Sequence, residues 1–554
     1  MLVYEAMADA FFAEGVDVSF TLMGDGNMHF ATYLSEKADA RTYLVRHEHA
    51  ALAMASAYSV ASGKPGVASV TCGPGVTQLS TALVTATYAK IPVVVFAGES
   101  PIDKSWYGQR IEQAPIVTAT GAHYIHAHSV VRMQEYVREA FYIARTERRP
   151  VVIGVPYDIQ LHEFPGREVY RPSTDFIPKL PPLAPHPSQV EELLCLIEAA
   201  RKPIIIGGRG AVNARSAALA RCLADAIDGL LATTLPARGL FDDDPFSLGI
   251  AGGYSTALAR EQFNECDLII ALGASLNYHT QDGGKLFPNA RVAVIDVDPA
   301  GIRDSLKTGD LLIRSDAALA LEAVLDRLKG NPRERVNRTE QLADRIAREP
   351  ADSHPFRPSD GLMDPRDAIA ELDRVLPKHW VLVNGTGHSA AFSAHMRGRN
   401  PGSFVTIREF GAIGNGLCYA AGVAAARPSD TIAVIDGDGS FLMHVQELET
   451  IRRHNLRILV CVLNDGAYGP EIHKMRKDGI SDAGAVFGRG DLGSVARGFG
   501  IRGRVITDVS QFADAVEAFQ AHDGAEVWDL HISDQVVSPM MRRAVASRKV
   551  LHPL

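Results

Sequence analysis

The sequence predicts an α/β protein of three domains, each built on a doubly wound parallel sheet. Two observations lead to this fold class. Apolar runs rich in β-branched residues, such as "IPVVVFAG" at 91–98, alternate with amphipathic helical patterns along most of the chain, which is typical of parallel strands covered by helices on both faces. The chain has 554 residues, which is too long for one hydrophobic core.

Two segments of linker composition divide the chain. Residues 171–187 are rich in proline, and residues 329–362 are highly charged and contain proline and glycine. Both compositions are typical of connections between domains. We therefore predict a first domain at 1–170, a central domain at 188–330 and a third domain at 363–540.

The composition is that of an ordinary globular protein, with 46% hydrophobic and 22% charged residues. A net charge of −9 without a basic tract argues against binding to nucleic acid or to an anionic membrane. The six cysteines show no CxxC pair, which favours reduced thiols. Because the N-terminal pattern is an acidic amphipathic helix and no apolar run could span a bilayer, we expect a cytoplasmic protein.

The loops after two successive strand patterns of the third domain carry the strongest site signal. "TIAVIDGDGS" places Asp438 in a Gly-Asp-Gly turn after one strand, and "RILVCVLN" ends the next strand at Asn464. A strand–helix–strand unit brings both strand ends side by side, so we expect these side chains and the Gly466 carbonyl to converge. Hard oxygen ligands of this kind suit Mg²⁺ with phosphate oxygens in its shell, and a helix start attracts phosphate. The alternative is a simple turn and an unrelated strand-ending asparagine.

Three further patterns bear on the site. The segment "FLMHVQELETIRRHN" predicts one amphipathic helix with Gln446 and Glu447 on its face. Glu48 begins an Ala-rich helical pattern, where an acid alone would only compensate the helix dipole. "NGTGHSA" at 384–390, with Glu409 after the next strand pattern, fits a dinucleotide fingerprint and makes an NAD-dependent dehydrogenase a competing hypothesis.

Taken together, the motifs resemble those of thiamine-diphosphate-dependent enzymes. "GDGS", followed one strand later by "LND", is similar to the cofactor motif of the acetolactate synthase, pyruvate decarboxylase and benzoylformate decarboxylase superfamily, and the similarity covers nearly the whole chain. It implies a pyrimidine-binding, a central and a diphosphate-binding domain, in that order. It also implies Mg²⁺ ligands at Asp438, Asn464 and the Gly466 carbonyl. The dehydrogenase hypothesis explains one loop, whereas this resemblance explains four.

The resemblance implies a set of residues around thiamine diphosphate. Glu48 matches the catalytic glutamate, whose carboxyl binds the pyrimidine ring and favours the tautomer that serves as a base. The Gly411 carbonyl faces the exocyclic amine, and Ile413 is wedged between the two cofactor rings. The other implied cofactor-binding residues lie in loops after strands: Thr386, Gly387, His388, Gly437, Gly439, Ser440, Ala467 and Tyr468.

The resemblance also bears on assembly and on FAD. In this family the glutamate reaches cofactor held by a neighbouring subunit, which implies a homodimer, or a dimer-of-dimers tetramer, with active sites at the subunit interface. Acetolactate synthases that carry FAD have an Arg- and Asp-rich stretch in the central domain, which here reads "GASLNYHTQDGG" at 273–284, without arginine. Their "GMHG" segment reads "GIAGGYS" at 249–255. Both departures argue against FAD binding. They also indicate that the arginine that anchors a second pyruvate in those enzymes is absent here.

The predicted substrate-side residues match no single subfamily. Asp25 aligns with a proton-relay acid of pyruvate decarboxylases, and Glu471 lies near another decarboxylase glutamate, one residue further from Asn464. His279 resembles a central-domain histidine of benzoylformate decarboxylase. For Asp25, His279 and Glu471, a solvated loop residue is the open alternative.

The paired decarboxylase histidines are absent from "SWYGQRIEQ", where Tyr107, Gln109 and Gln113 stand instead. We predict that Gln109 and Gln78 line the substrate pocket. Cys72 is predicted to be a packing residue, because no motif base accompanies it.

We therefore expect an enzyme dependent on thiamine diphosphate and Mg²⁺ that decarboxylates a small 2-oxo acid. The resulting carbanion is then ligated to a second carbonyl, as in acetolactate synthases, or protonated to an aldehyde. Asp25 and Glu471 favour protonation, whereas overall similarity favours ligation. The alternatives are a lyase acting on 2-hydroxyacyl-CoA or hydroxy-ketone substrates, a non-catalytic cofactor-binding protein and the dehydrogenase.

Overall fold

The structure is a computed structural model that describes residues 1–166, 169–328 and 335–546. Three six-stranded parallel sheets follow one another along the chain, each flanked by helices, and this confirms the predicted fold class. Position 330, the predicted end of the central domain, lies outside the described residues. Among the described residues, every helix is too short or too polar to cross a membrane.

The strands of the first domain are β1 (Val18–Thr21), β2 (Arg41–Leu44), β3 (Gly66–Val70), β4 (Val93–Glu99), β5 (His123–His126) and β6 (Val151–Pro156). Its α-helices are α1 (Val3–Ala13), α2 (Met28–Ser35), α3 (Glu48–Ser62), α4 (Pro74–Thr77), α5 (Ser80–Tyr88), α6 (Gln113–Ala119) and α7 (Met133–Glu147). The strand order in the sheet is β2-β1-β3-β4-β6-β5.

The strands of the central domain are β7 (Pro203–Gly207), β8 (Leu230–Thr233), β9 (Ser247–Ile250), β10 (Leu268–Leu272), β11 (Arg291–Asp296), β12 (Ile302–Arg303), β13 (Leu306–Lys307) and β14 (Leu311–Arg314). Its α-helices are α8 (Pro187–Ala199), α9 (Ala214–Ala226), α10 (Ala257–Glu265), α11 (Tyr278–Gln281), α12 (Ala317–Arg327) and α13 (Glu340–Arg348). The sheet order is β14-β11-β10-β7-β8-β9, and β12 and β13 form a separate antiparallel pair. Helix α13 lies in the predicted second linker and packs Leu342 and Ile346 against the central core.

The strands of the third domain are β15 (Val381–Asn384), β16 (Phe404–Thr406), β17 (Ile432–Gly437), β18 (Ile458–Asn464), β19 (Arg502–Ile506) and β20 (Glu526–His531). Its α-helices are α14 (Pro365–Val375), α15 (His388–Ser393), α16 (Gly416–Ala426), α17 (Asp438–Met443), α18 (Glu447–Arg453), α19 (Gly469–Asp478), α20 (Leu492–Gly498), α21 (Phe512–Gln520) and α22 (Pro539–Ala546). The sheet order is β16-β15-β17-β18-β20-β19.

Short 3₁₀ turns connect several of these elements: Val130–Arg132, Ile159–Leu161, Ser173–Phe176, Arg209–Ala211, Leu235–Ala237, Pro401–Ser403 and Val509–Gln511. The first part of the proline-rich linker is anchored rather than free. Ser173 is buried, and its backbone N–H donates to the Glu14 carboxylate at 2.7 Å. Arg145 also pairs with Glu14, so this linker segment is attached to the first domain.

The first and third domains share one continuous hydrophobic cluster. Its centre is the packing of α3 against α16, two helices rich in alanine. Gly422 of α16 lies so close to α3 that a Cβ atom there would be 2.2 Å from the carbonyl oxygen of Met54. The small side chains therefore set the distance between the two helices.

We expect Gly422→Ala to lower the thermal unfolding midpoint by roughly 5 °C or more, because the added methyl group forces the two helix backbones apart. Gly484→Ala is the matched control, since a Cβ at Gly484 meets no heavy atom within 4 Å. Equal midpoints for the two variants would show that the helices can separate without cost.

The single helix predicted after Asp438 is wrong, because the structure has two helices there. The chain leaves α17 at His444, whose backbone has φ −130° and whose Nδ1 donates to the Gly414 carbonyl at 2.8 Å. Helix α18 then begins at Glu447, whose fully buried carboxylate accepts the Arg46 N–H of the first domain at 3.1 and 3.3 Å. A contact within the third domain at His444 and a contact with the first domain at Glu447 therefore accompany the break in the helix. A local pattern contains neither contact.

Glu447 should make the contact between these domains pH-dependent. Burial raises its pKa from 4.5 to about 7, against the opposing effect of hydrogen bonds from Thr450 and Arg46. Because the folded-state pKa is the higher one, the folded protein holds the extra proton between these values, and stability falls as pH rises through this window. Between pH 4.5 and 7, the free energy of unfolding should therefore fall by about 3 kcal/mol less in Glu447→Gln than in the unsubstituted protein.

Unfolding midpoints measured across this pH range would test the prediction. Glu449→Gln is the control, because hydrogen bonding to Arg46 lowers the pKa of Glu449 to about 2, so its contribution to stability is lost only below about pH 4.5. A Glu447→Gln profile parallel to that of the unsubstituted protein would contradict the prediction.

Candidate active site

The carboxyl ends of β17 and β18 lie side by side, as predicted. Gly437 pairs with Leu463 in the sheet, so Asp438 and Asn464 directly follow adjacent positions. The Asp438 carboxylate accepts the N–H of Gly439 at 2.8 Å and the N–H of Gly466 at 2.7 Å. The turn after β17 is thereby joined to the turn after β18 through one carboxylate.

Asn464 presents an oxygen that lacks a partner. Its Nδ2 donates to Asp529 on β20 at 2.7 Å, which fixes the orientation of the amide. Its Oδ1 is buried and makes no hydrogen bond with any described residue. An unsatisfied buried acceptor costs about 1–3 kcal/mol, so a ligand for this oxygen would be stabilised, and a metal ion fits an oxygen held in this way.

The surrounding carboxylates make the same region electronegative. Burial, together with the charge of Asp529, raises the pKa of Asp438 to about 6. Burial and the charge of Asp438 raise the pKa of Asp465 to about 8. A divalent cation would stabilise the charged forms of both groups. The hard oxygen donors therefore fit Mg²⁺, which binds carboxylate and carbonyl oxygens.

The third predicted metal ligand is engaged elsewhere. The Gly466 carbonyl accepts the backbone N–H groups of Phe487 and Gly488, each at 2.9 Å. Both of its lone pairs are therefore in use, and metal binding would require residues 487–488 to release it. Its role as a ligand stays a prediction.

Hydrogen bonds with Asp436 and Ser440 stabilise the Gly-Asp-Gly turn. Ser440 Oγ donates to Asp436 at 2.8 Å and accepts the N–H of Gly414 at 2.8 Å. Gly437 donates its N–H to Asp436 at 3.0 Å. Gly439 must lack a side chain, because a Cβ there would lie 2.7 Å from the Tyr468 ring. Ala467 is buried, and the Tyr468 ring packs on Phe487.

The loop at 385–389 approaches the same turn. Gly387 has φ +109°, in the region that favours glycine, and precedes His388 at the start of α15. His388 Nε2 accepts the N–H of Ser538 at 3.0 Å, so the neutral ring carries its proton on Nδ1. Burial and neighbouring His473 lower the pKa of His388 to about 3. Thr386 and Gly387 are half-buried, and their role in cofactor binding stays a prediction.

Sequence reasoning missed Ser389 and Asp529. Ser389 Oγ is buried without a partner among the described residues, and it lies 3.6 Å from the Cβ position of Gly437. Asp529 orients Asn464, as described above. The local signal for Asp529 was an acidic residue among apolar ones, and Ser389 lies in the "NGTGHSA" motif beside His388 without having been assigned a role.

Ile413 lies beside this loop, with Cγ2 3.8 Å from the Cβ position of Gly387. It is half-buried, so it is available to contact a ligand rather than being part of the core. Gly411 is exposed with φ +74°. The Arg408 guanidinium on the same loop donates to the Tyr254 hydroxyl, which ties the predicted "GIAGGYS" segment of the central domain to this site.

Loops after β1, β2, β3 and β4 form a second cluster in the first domain. Glu48 is the first residue of α3, as predicted, and its Oε1 lies 3.7 Å from the Cβ position of Gly75. The loop that contains exposed Asp25 is joined to the β3 loop, because Gly26 N–H donates to Thr71 at 3.1 Å. Gln78 is exposed on this β3 loop.

Residues of the 107–113 segment contact the β3 loop from the other side. The Cys72 thiol donates to Gln109 Oε1 at 3.1 Å, and burial raises the pKa of the thiol. A buried thiol with a raised pKa favours the predicted packing role of Cys72 over that of a nucleophile, and this role stays a prediction. Gln113 is also structural: it is buried, accepts the Gly73 N–H at 2.8 Å and donates to the Gly98 carbonyl at 3.0 Å. Burial raises the pKa of the nearby Tyr107 hydroxyl to about 12.

Two predicted substrate-side residues have exposed side chains, although the backbone N–H of Glu471 donates to the Tyr468 carbonyl at 3.0 Å. Glu471 is exposed on α19 and pairs with Lys474 at 3.2 Å. His279 is exposed on α11, and its carbonyl accepts the Gly253 N–H at 3.1 Å. No hydrogen bond between described residues joins either side chain to the loops around Asp438. The solvated-loop alternative thus gains support for both.

The fold and the site define an α/β enzyme whose first and third domains each present a ligand-binding loop cluster at the carboxyl ends of parallel strands. Residues 1–120 match the N-terminal TPP-binding domain of the thiamine pyrophosphate enzymes, residues 190–324 match the central domain, and residues 385–529 match the C-terminal TPP-binding domain. The chain therefore belongs to the thiamine pyrophosphate enzyme family.

Comparison with individual proteins indicates which thiamine pyrophosphate enzymes the chain is similar to. The chain is 30% identical over 480 residues to a probable acetolactate synthase large subunit of Methanocaldococcus jannaschii, covering 84% of this chain and 80% of that protein. It is 30% identical to a probable chloroplastic acetolactate synthase 2 of Oryza sativa, covering 95% and 82%. It is 31% identical to an acetolactate synthase large subunit of Parasynechococcus marenigrum, covering 91% and 83%. The chain is thus a thiamine-diphosphate-dependent enzyme of the decarboxylase and carboligase class, and we do not retain the dehydrogenase hypothesis.

Proposed function

We propose that this enzyme uses thiamine diphosphate and Mg²⁺ to decarboxylate a 2-oxo acid. The carbanion that remains after loss of CO₂ is then ligated to a second carbonyl compound. The observation that carries the metal-dependent part is the unpartnered Asn464 Oδ1 next to buried Asp438. Without a cation, this arrangement combines an unsatisfied acceptor with a buried carboxylate, and both are costly. The acetolactate synthase relatives support the ligating outcome.

The bound cofactor supplies the nucleophilic carbon and accepts the electrons released with CO₂. In this proposal Asp438 and Asn464 bind the metal, and Ser389 and His388 Nδ1–H donate to diphosphate oxygens. Ile413 would contact the cofactor, and the Glu48 carboxyl would hold a proton at its pyrimidine ring.

We further propose a homodimer, or a dimer-of-dimers tetramer, whose subunits complete each other's sites. Large apolar side chains around the third-domain cluster are exposed on the single chain: Phe410, Leu442, Met443, Tyr468 and Phe487. Apolar patches of this kind mark interaction surfaces, and a second copy would cover them. FAD is not part of the proposal, because the "GASLNYHTQDGG" stretch lacks arginine.

Release of an aldehyde is the second candidate outcome, and exposed Asp25 at the first-domain cluster is the observation that favours it. Product analysis by NMR separates the candidates. Protein stripped of cofactor and reloaded with thiamine diphosphate and Mg²⁺ is given a panel of 2-oxo acids, with and without an acceptor carbonyl compound. We expect cofactor-dependent CO₂ release and an acyloin or acetohydroxy acid. Aldehyde alone would replace ligation by protonation, and no turnover would favour 2-hydroxyacyl-CoA or hydroxy-ketone substrates.

A further inference from the structure

A cluster of two histidines and one glutamate lies in the first domain, apart from the predicted magnesium site. Glu99 ends β4, His126 ends β5, and His128 follows two residues later. Strand β6 runs between β4 and β5, so the carboxylate must cross it to reach the histidines. Gly154 of β6 makes this crossing possible, because a Cβ there would lie 2.5 Å from Glu99 Oε1.

The geometry is close to that of a metal site. His128 Nε2 lies 2.5 Å from Glu99 Oε2, and His126 Nδ1 lies 3.7 Å from Glu99 Oε1. One ligand atom from each residue falls within 4.8 Å of the others. In a tetrahedral zinc site with bonds of about 2.0–2.1 Å, ligand atoms are about 3.3 Å apart. Small side-chain rotations would therefore bring all three onto one ion.

The surroundings hold the carboxylate in place and leave the outer side open. The Tyr124 hydroxyl donates to Glu99 Oε1, and Gln113 Nε2 donates to the Tyr124 oxygen at 3.1 Å. Partners of this kind orient metal ligands in proteins. The Glu99 side chain is 14% exposed, whereas the His126 and His128 side chains are 55% and 45% exposed. Water could thus complete the coordination from the solvent side.

We propose that Glu99, His126 and His128 bind a divalent transition-metal ion, with Zn²⁺ as the preferred class. Two imidazole nitrogens and one carboxylate are a common zinc ligand set. Mg²⁺ is disfavoured here because it prefers oxygen ligands. The proposal does not rest on thiamine diphosphate or on the proposed reaction.

The test uses the full-length protein, treated with EDTA and kept free of thiamine diphosphate. Zn²⁺ alone is titrated by calorimetry, and Co²⁺ alone is titrated while its visible absorption bands are recorded. We expect one equivalent of each metal to bind. His126→Ala and His128→Ala should each weaken binding by about tenfold or more. His123→Ala is the matched control, since it removes a histidine from the start of the same strand.

A cooperative thermal unfolding transition without metal establishes that each variant is folded. If a histidine variant is not folded, Glu99→Gln replaces it. Absence of Zn²⁺ binding by the unsubstituted protein would overturn the proposal and leave the cluster as a hydrogen-bonded network. Unchanged binding by the variants would also overturn it, because the metal would then lie at another site.

Discussion

We expect Glu48→Gln to lower cofactor-dependent turnover by about 10²–10⁴-fold while leaving the affinity for thiamine diphosphate nearly unchanged. Glutamine keeps the size and polarity of the side chain but cannot carry the proton that the carboxyl group holds at the pyrimidine ring. Glu48 begins α3 and is half-buried, and its side chain accepts no hydrogen bond that supports the fold in the described residues. The variant should therefore fold normally. Steady-state turnover and calorimetric cofactor titration measure the two quantities.

Gln78→Glu is not a suitable control, because Gln78 is itself predicted to line the pocket. Glu147→Gln is suitable, since Glu147 ends α7 on the exposed surface and, among the described residues, pairs with Arg149 alone. Turnover of Glu48→Gln equal to that of Glu147→Gln would remove Glu48 from its proposed role.

The same variant tests whether two subunits share each site. Glu48→Gln is mixed with Asp438→Ala after reversible dissociation of both proteins. If each site combines Glu48 of one subunit with Asp438 of the other, every mixed dimer has one intact site, and about a quarter of the full activity should return. If both residues act within one chain, every site carries one defect, and mixing restores nothing.

Central strands were predictable from the sequence because their burial demands continuous apolar runs. "IPVVVFAG" became β4 and "RILVCVLN" became β18, both almost completely buried. Edge strands β5 and β19 were not predicted, because exposure on one side permits sequences such as "HYIH" and "RGRVI". These two strands escaped prediction because contact with solvent removes the need for a continuous apolar run.

Strand β20 is internal and was still missed, for a different reason. Its sequence "EVWDLH" contains Glu526 and Asp529, which a local pattern excludes from a core. In the structure, Trp528 Nε1 donates to Glu526 at 2.9 Å and Asn464 donates to Asp529 at 2.7 Å. Buried acids are tolerated where tertiary partners satisfy them. Asn464 on β18 is such a partner for Asp529, and Arg504 on β19 is one for Glu526, so both come from other parts of the chain.

In the candidate site, too, some features were predictable from the sequence and others depend on tertiary contacts. The positions of Asp438 and Asn464 followed from strand ends in a parallel sheet, because the topology of the unit determines them. The support of Asn464 by Asp529, the free hydroxyl of Ser389 and the engagement of the Gly466 carbonyl by Phe487 did not follow. Each depends on a contact between segments distant in sequence, which neither periodicity nor motif spacing encodes.

We expect Asp438→Ala to weaken Mg²⁺-dependent binding of thiamine diphosphate by about 100-fold or more, because the variant loses the only charged side chain among the proposed ligands. The affinity is measured by titration in Mg²⁺ and again in EDTA. The unsubstituted protein should bind much more tightly in Mg²⁺, whereas the variant should show nearly the same weak binding in both. Loss of the Mg²⁺ dependence, rather than weak binding alone, identifies the carboxylate as a metal ligand.

Alanine also leaves the N–H groups of Gly439 and Gly466 without their acceptor, so the variant could lose affinity through distortion of the turn. Asp438→Asn is the milder variant, because its amide oxygen can still accept one of these two N–H groups while the charge is gone. Asp514→Ala on the exposed face of α21 controls for the loss of an aspartate elsewhere in the domain. If Asp438→Asn retained full Mg²⁺-dependent affinity, the carboxylate would serve the turn alone, and the metal assignment would fail.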